Sequence, residues 1–254
     1  MELSIWLTLA LCFLVGVSLG LLGGGGTILT VPIFVYAGKM ETDMAIAMSL
    51  IIVGLVSAIG SLRFLKPGFL NKRLVLFFTI SGIPTAFFGA KFTARMNSDH
   101  LLLMFGLLMC LVSLILFIKS TKRTDSDQPF VCRPSALLSL ATGAGIGFLT
   151  GFLGVGGGFL IVPAISVLMR CSLQTAVGTS LAIIAINSLS GFAGHLNDLN
   201  VNLGLLTSLF VVTLTGALIA AKVAVRLSSQ FLQRAFALLI MAVGIFVVFQ
   251  NLSA

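Results

Sequence analysis

The sequence predicts an all-α, polytopic membrane protein built from two related halves, and three observations indicate this. Of the 254 residues, 58% are hydrophobic and 9% are charged, whereas about 25% of residues are charged in an ordinary soluble domain. The few charges divide the chain into long uncharged windows. Two of these windows carry nearly the same glycine-rich motif.

Eight uncharged windows are long enough to enter a bilayer: 3–38, 44–62, 74–90, 101–118, 134–169, 171–197, 199–221 and 235–254. Six of them suit a single helix that crosses the bilayer, which takes roughly 17–25 residues, with some overhang for window 171–197. The two 36-residue windows do not, because a helix of that length would run about 54 Å against a hydrocarbon core of about 30 Å. Each long window therefore crosses twice or turns back inside the membrane. This predicts eight full spans, or ten if both broken hairpins are counted as spans.

The two long windows share a motif. Residues 20–32 read GLLGGGGTILTVP and residues 151–163 read GFLGVGGGFLIVP, with eight of thirteen positions identical at an offset of 131 residues. Later positions follow the same offset, including Ser49/Ser180, Ser57/Ser188, Gly60/Gly191 and Lys91/Lys222. A duplicated apolar half with a broken, glycine-rich segment is typical of secondary transporters. We expect a first membrane repeat at 1–118, a linker at 119–133 and a second repeat at 134–254.

The lysines and arginines predict the orientation of the chain. If each long window enters and leaves by the same face, 12 of the 15 basic residues lie on one side, and only Lys39, Lys91 and Arg95 lie on the other. If each window crossed once, the division would be eight to seven and would carry no signal. The positive-inside bias favours the first arrangement. Both termini then face outward, the linker is cytoplasmic, and the second repeat is inverted relative to the first.

The contiguous glycines predict a binding site. The broken segments of an inverted repeat converge near the bilayer midplane, where irregular backbone is tolerated only beside protein or a watery cavity. Glycine takes φ > 0 at little cost, and a helix that restarts at Thr27 or Gly158 offers N–H donors that suit an anion. Together with donors from neighbouring helices, the predicted substrate-binding residues are Gly23, Gly24, Gly25, Gly26, Thr27, Ser57, Gly154, Gly156, Gly157, Gly158, Asn187 and Ser188.

A competing interpretation is that the glycines only permit close packing of helices. Glycines at four-residue spacing form the small-xxx-small pattern of helix contacts; they are Gly16, Gly20 and Gly24 in the first half and Gly143, Gly147 and Gly151 in the second. We assign this spaced set to packing. The contiguous runs are assigned to unwound backbone, because packing does not need four consecutive glycines.

The polar residues inside the windows are neutral, since no acidic residue lies in any of them. This disfavours cation transport, and a metal site would need a cluster of carboxylates, histidines or thiolates. No nucleotide-binding or nucleophile motif is present. We therefore expect no catalysis, no cofactor, no metal and no nucleic-acid partner. Lys91 with Arg95 and Lys222 with Arg226 are interpreted as interfacial pairs, or alternatively as a basic funnel for anions, and His195 as an interfacial residue or a proton sensor.

The four cysteines, Cys12, Cys110, Cys132 and Cys171, contain no C-x-x-C pair. Three of them lie in or at the edge of apolar segments. Small buried thiols without a disulfide are therefore expected.

With these motifs, and with TAVGTSLAIIAINSLSG at residues 175–191, the chain resembles the sulfite exporter TauE/SafE family of bacterial membrane transporters over essentially its whole length. The resemblance implies movement of sulfur-containing anions or organic acids across the cytoplasmic membrane. The first half departs from the second, with Ala47, Met48 and Val56 where the second has Gly178, Thr179 and Asn187. The partners implied are a small anionic substrate and the lipid bilayer, and a homodimer is left open. The alternative function is a channel-like or non-transporting subunit of a larger complex.

Overall fold

The computed structural model describes residues 2–64, 70–93, 98–121, 132, 135–154, 157–169, 171–195, 203–223 and 229–252, and within them it is helical without strands. The α-helices are α1 (Glu2–Leu22), α2 (Thr30–Pro32), α3 (Thr42–Leu62), α4 (Lys72–Thr93), α5 (Ser98–Thr121), α6 (Ala136–Leu153), α7 (Gly158–Pro163), α8 (Leu173–Gly194), α9 (Leu203–Val223) and α10 (Ser229–Leu252). Shorter turns flank α2 and α7: a 3₁₀ turn at Gly25–Leu29 and π turns at Ile33–Ala37 and Ala164–Leu168. The all-α prediction is confirmed.

Five helices in the described part of the chain are long and apolar enough to cross a bilayer: Thr42–Leu62, Lys72–Thr93, Ala136–Leu153, Thr175–Gly194 and Leu203–Lys222. Shorter apolar stretches lie in α1, α5, α10 and residues 26–37. Large apolar side chains such as Trp6, Phe88 and Phe249 are exposed on the outer surface, as a lipid-facing surface requires. The chain is a polytopic membrane protein. The count of eight or ten spans and the division at 119–133 stay predictions.

The first long window folds as a hairpin, residues 2–37, that turns back on itself at the glycine run. Helix α1 ends at Leu22, and Gly23 (φ 65°) and Gly24 (φ 144°) reverse the chain. The returning segment packs along α1, where a Cβ on Gly26 would lie 2.5 Å from the Val15 carbonyl oxygen. Glycine takes the positive φ of Gly23 and Gly24 at little cost, and the missing Cβ at Gly26 allows this close approach. The chain therefore returns toward the face at which α1 begins.

The second long window forms a corresponding hairpin, residues 136–168. Gly154 (φ 67°) ends α6 and Gly157 (φ 62°) precedes α7. The returning chain again packs on its own first helix, because a Cβ on Gly157 would lie 2.9 Å from Ile146 Cγ2. Neither long window is a single straight helix, as their length predicted.

Helices α3 and α8 cross in antiparallel orientation at the centre of the molecule. A Cβ on Gly191 would lie 3.5 Å from Leu50 Cδ1, and a Cβ on Gly60 would lie 3.5 Å from Leu181 Cδ1. Because early residues of one helix meet late residues of the other, α3 ends at the face where α8 begins. We call these two faces the Arg63 face and the His195 face, after the residues that follow α3 and α8.

Two helix pairs, α1–α9 and α4–α6, flank this crossing and are held by backbone contacts at glycines. In α1–α9, a Cβ on Gly16 or Gly20 would collide with the carbonyl oxygen of Thr213 or Ala217. In α4–α6, the corresponding contacts join Gly147 to Gly82 and Gly151 to Ala86. These contacts have the 131-residue offset of the sequence motif. The packing role predicted for the spaced glycines is thus confirmed at these positions, whereas Gly24 belongs to the turn.

The expectation of four free thiols is wrong, because Cys132 and Cys171 form a disulfide with a Cα–Cα distance of 4.4 Å. The two residues are 39 positions apart. The second hairpin returns to the face at which α6 begins, and this brings Cys171 next to the residue that precedes α6. Cys12 and Cys110 are free.

We expect half of the cysteines to resist alkylation until a reductant is added. Denatured protein treated with a maleimide should gain label at Cys12 and Cys110 only, and reduction should expose Cys132 and Cys171 as well. The measurement is intact-mass spectrometry before and after reduction. The variant Cys132→Ser serves as the control, since it should leave Cys171 reactive without reductant. Labelling of all four thiols in the unreduced wild-type protein would contradict the disulfide.

Candidate functional site

The tips of the two hairpins touch at the centre of the molecule. A Cβ on Gly158 would lie 2.6 Å from the Gly24 carbonyl oxygen, and a Cβ on Gly24 would lie 3.0 Å from Gly158 Cα. Ile184 of α8 covers the contact, with its Cδ1 atom 2.7 and 2.6 Å from the same two Cβ positions. The structure thus brings together the two glycine runs that the sequence analysis selected, and both tips are buried.

The first tip satisfies part of its own polar backbone. Thr27 donates its hydroxyl to the Gly24 carbonyl oxygen at 2.9 Å, and its N–H lies 3.3 Å from the same oxygen. The chain restarts at Gly25 as a 3₁₀ helix, two residues before the expected helix start at Thr27. Thr27 therefore stabilises the tip, and its hydroxyl proton is occupied in this conformation.

The second tip restarts as expected, with α7 beginning at Gly158. Gly154 donates its N–H to the Thr150 carbonyl oxygen at 3.0 Å, and Gly157 accepts from the N–H groups of Leu160 and Ile161 at 3.1 Å. Gly156 lies outside the described residues.

Helices α3 and α8 hold the tips from the sides. Val177 of α8 lies against Gly23, and Ile46 of α3 lies against Gly154 at the repeat-related position. Ser180 donates its hydroxyl to the Gly23 carbonyl oxygen at 2.8 Å. Apolar residues such as Ile46, Val177 and Ile184 were not selected by the sequence analysis, because nothing distinguishes one buried aliphatic side chain from another without a structure.

A set of polar side chains in the α3–α8 crossing is fully buried and has no hydrogen-bond partner among the described residues. The unpartnered atoms are the hydroxyl oxygens of Ser49, Ser57 and Ser188 and both amide atoms of Asn187. Each unsatisfied buried polar group costs about 1–3 kcal/mol, and such groups are rare in folded proteins. Of these, Ser57, Asn187 and Ser188 are the side-chain donors that the sequence analysis predicted for the site.

The unpartnered groups lie close along α8 to the hairpin tips. Ser188 follows Ile184, the residue that covers both tips, by one helical turn, a separation of about 5–6 Å between Cβ atoms. On the other side, Ser188 faces α3, because a Cβ on Gly54 would lie 3.3 Å from Ser188 Cβ. Asn187 faces α4, where a Cβ on Gly82 would lie 2.5 Å from the amide nitrogen. The site is therefore a buried group of neutral donors and acceptors beside two glycine turns.

The described lysines of the two interfacial pairs are exposed, whereas this site is buried. Lys91 is exposed, with its ammonium group 4.7 Å from the centre of the Phe87 ring, and Lys222 is exposed at the end of α9. Arg95 and Arg226 lie outside the described residues. Among the residues described, no three His, Cys, Asp or Glu side chains come together as metal ligands. The described lining therefore offers neutral hydrogen-bonding groups rather than a fixed charge.

His195 lies just beyond the end of α8. Its Nδ1 atom is 3.0 Å from the Gly191 carbonyl oxygen, and its Nε2 atom is buried without a partner in the part of the chain that the structure describes. Burial lowers the pKa of His195, while the Gly191 carbonyl and the negative charge of Asp43 act in the opposite direction. The ring is thus held neutral near pH 7, with Nδ1 donating and Nε2 left as an acceptor.

Comparison with known proteins identifies the family of the chain. The sequence profile of the sulfite exporter TauE/SafE family matches residues 8–247. The chain belongs to this family. A probable membrane transporter protein of Xylella fastidiosa (strain Temecula1) is 32% identical over 94% of this chain and 92% of its own length. Together with its long apolar helices, membership in the TauE/SafE family identifies the protein as a multi-pass membrane transporter.

Other relatives of this TauE/SafE protein carry similar names. The probable membrane transporter protein YunE of Bacillus subtilis is 28% identical over 79% of this chain and 81% of its own length. A probable membrane transporter protein of the archaeon Methanocaldococcus jannaschii is 28% identical over 77% of this chain and 75% of its own length. No solved structure matches the chain significantly.

Proposed function

We propose that this TauE/SafE protein is a secondary transporter of small anions, and that the anion binds at the hairpin tips. The observation that carries the proposal is the set of buried, unpartnered groups at Ser57, Asn187 and Ser188. Their cost to folding is explained if a ligand accepts hydrogen bonds from them during transport. The touching tips supply glycine backbone that a small ligand can approach closely.

Neutral donors favour an anion that is held without being trapped. An ion pair with a buried lysine or arginine would bind more tightly and would slow release, whereas hydroxyl and amide donors stabilise an anion through hydrogen bonds alone. Sulfite, organosulfonates and small organic acids present two or three oxygens of this kind. The family name favours the sulfur-containing anions among them.

The orientation of the protein is part of the proposal. The glycine contacts of α1–α9 and α4–α6 follow the 131-residue offset, and they support two structurally equivalent halves. The antiparallel crossing of α3 and α8 supports an inverted relation between them. We place the Arg63 face toward the cytoplasm, because the positive-inside bias applies to the basic loops. The Cys132–Cys171 disulfide lies at this face and is then accessible to cytoplasmic reductants. Both termini then lie outside the cytoplasmic membrane.

Purified protein in liposomes is expected to catalyse counterflow of a sulfonate or carboxylate and to ignore cationic amines and metal ions. There are two physical reasons. No Asp or Glu lies in the predicted membrane windows, and the unpartnered groups beside the tips are neutral donors. Exchange should depend only weakly on salt, since the site is buried and little screened. Counterflow of a cation without any response to anions would overturn the proposal.

The variant Lys222→Gln tests whether the basic residues attract the anion toward the site rather than bind it there. Lys222 is exposed at the Arg63 face, so its removal should slow transport at low substrate more than at saturation, as loss of electrostatic attraction does.

Currents that rise linearly with voltage and without exchange would instead support the channel-like alternative.

A further inference from the structure

A cleft opens at the Arg63 face between α1, α3, α8 and α9. Its walls include Gly20 of α1 and Val56 and Gly60 of α3, and its volume is about 30 Å³. Arg63 is exposed and also lines the cleft. Val177, another lining residue, packs against Gly23 of the first hairpin tip. The cleft therefore leads from the Arg63 face toward the candidate site.

The repeat-related region at the His195 face is packed shut. Gly191 corresponds to Gly60, and Gly151 corresponds to Gly20, at the 131-residue offset. A Cβ on Gly191 would lie 3.4 Å from Gly151 Cα, whereas a Cβ on Gly60 has no atom of Gly20 within 4 Å. Helix α6 thus touches α8 at the point where α1 stands away from α3.

A second contact closes the same face further out. A Cβ on Gly194 would lie 2.6 Å from Ala90 Cβ and 3.1 Å from the Phe87 carbonyl oxygen. Ala90 is fully buried, while its repeat partner Ala221 is only half-buried in the cleft. Ala90, Phe87 and Gly194 therefore seal α4 against α8, and we call these three residues the outer gate.

Unpartnered polar groups lie on both sides of the outer gate, with Asn187 inside it and His195 at the outer end of α8. Asn187 corresponds to Val56 and His195 corresponds to Phe64, and both Val56 and Phe64 line the open cleft. The Asn187 amide and the His195 Nε2 atom are buried without hydrogen-bond partners. A polar lining that is sealed from water is costly, and the cost disappears in a conformation that admits water or an anion.

The difference between the open and the closed face does not arise from the packing within each helix pair. The contacts Gly20–Ala217 and Gly151–Ala86 are present in both halves, so α1–α9 and α4–α6 each keep their own packing. What differs is the position of each pair relative to α3 and α8. Movement of rigid bodies about such a crossing exchanges the open and closed faces.

We propose that Asn187, Gly191 and His195 line a second vestibule at the His195 face, which opens to a small anion when the Arg63 cleft closes. The proposal rests on the proposed transport function and adds the second entrance, its gate and its lining. The structure shows one of the two conformations. In the other, the anion passes His195 and reaches Asn187 and the hairpin tips.

The test uses thiols at the repeat-related positions in full-length protein that lacks the four native cysteines. Gly60→Cys reports the open cleft and Gly191→Cys reports the closed face. The probe is methanethiosulfonate ethylsulfonate, an impermeant anionic reagent, added to either side of reconstituted vesicles. Position 60 should label fast and from one side only, and position 191 should be protected.

A larger side chain in the outer gate should reverse this pattern of thiol labelling. In Ala90→Leu, the larger side chain cannot pack against Gly194, so labelling at position 191 should rise at least about tenfold, from the opposite side, and labelling at position 60 should fall, as expected when a minor conformation becomes the major one. The matched control is Ala221→Leu, the same change at the repeat-related position in the open cleft. It should leave position 191 protected.

The outcomes decide the proposal whether or not a substrate is known. Protection of position 191 in both Ala90→Leu and the smaller wedge Gly194→Ala, with each variant monodisperse by size exclusion, would overturn it. Exposure of position 191 without loss of labelling at position 60 would also overturn it, because a local defect does not close the far side. Reciprocal labelling without any anion counterflow would uphold the gate and reject the proposed substrate class.

Discussion

Gly24→Val is expected to abolish anion transport in protein that still reaches the membrane. Gly24 has φ 144°, where a β-branched residue is strained by about 1–3 kcal/mol. Its Cβ would lie 2.7 Å from Ile184 Cδ1 and 3.0 Å from Gly158 Cα. The substitution therefore pushes the hairpin tips apart at the proposed binding locus. Counterflow per mole of monodisperse protein measures the effect.

Gly145→Val is the matched control for this variant. Gly145 lies in α6 with helical backbone, and a Cβ there meets no atom within 4 Å. Its transport should equal that of the wild type. Gly16 would be a poor control, because a Cβ at that position collides with backbone of α9. Equal transport by Gly24→Val and Gly145→Val would show that the tips do not bind the substrate.

The position of this largest effect could not be read from the sequence, which selected the contiguous glycines of both runs without distinguishing Gly24 from Gly25 or Gly156. In a run of four glycines, any member can take positive φ at little cost. Packing selects Gly23, which lies under Val177, and Gly24, which lies against Gly158. Gly25 begins the 3₁₀ turn instead, and Gly156 lies outside the described residues.

The hairpins themselves were predictable, because a 36-residue uncharged window is too long for one crossing of the bilayer. The pairing of Cys132 with Cys171 was not, since it depends on where the second hairpin returns to the surface. Sequence also cannot distinguish the open Arg63 cleft from the closed His195 face. The same contacts are available to Gly60 and to Gly191, and the difference between them is conformational.

Asn187→Val is expected to have opposite effects on stability and transport. The Asn187 amide is fully buried, with neither its nitrogen nor its oxygen partnered. Replacing it with valine, the residue found at the repeat-related position 56, removes unsatisfied polar atoms at nearly constant volume. The gain is about 1–3 kcal/mol, or about 2–4 °C in melting temperature for each kcal/mol. Counterflow should fall, because the amide no longer binds the anion.

Ser57→Ala and Ser113→Ala provide a matched pair for the same argument. Ser57 is buried without a partner among the described residues, whereas Ser113 donates its hydroxyl to the Ala237 carbonyl oxygen at 2.5 Å between α5 and α10. Loss of the Ser113 hydroxyl should lower stability by about 1 kcal/mol and leave transport per folded molecule unchanged. Loss of the Ser57 hydroxyl should preserve or raise stability and reduce transport.

The directions of the changes in stability and in transport, taken together, distinguish a binding role from a structural one. A residue that only supports the fold loses stability and activity together when it is truncated. A residue kept for its ligand gives up stability in the empty protein, because its polar atoms are buried without partners. If Asn187→Val lowers the melting temperature and transport in parallel, the Asn187 amide has a partner in the folded protein and does not serve the anion. A more stable and inactive variant would place the anion at Asn187.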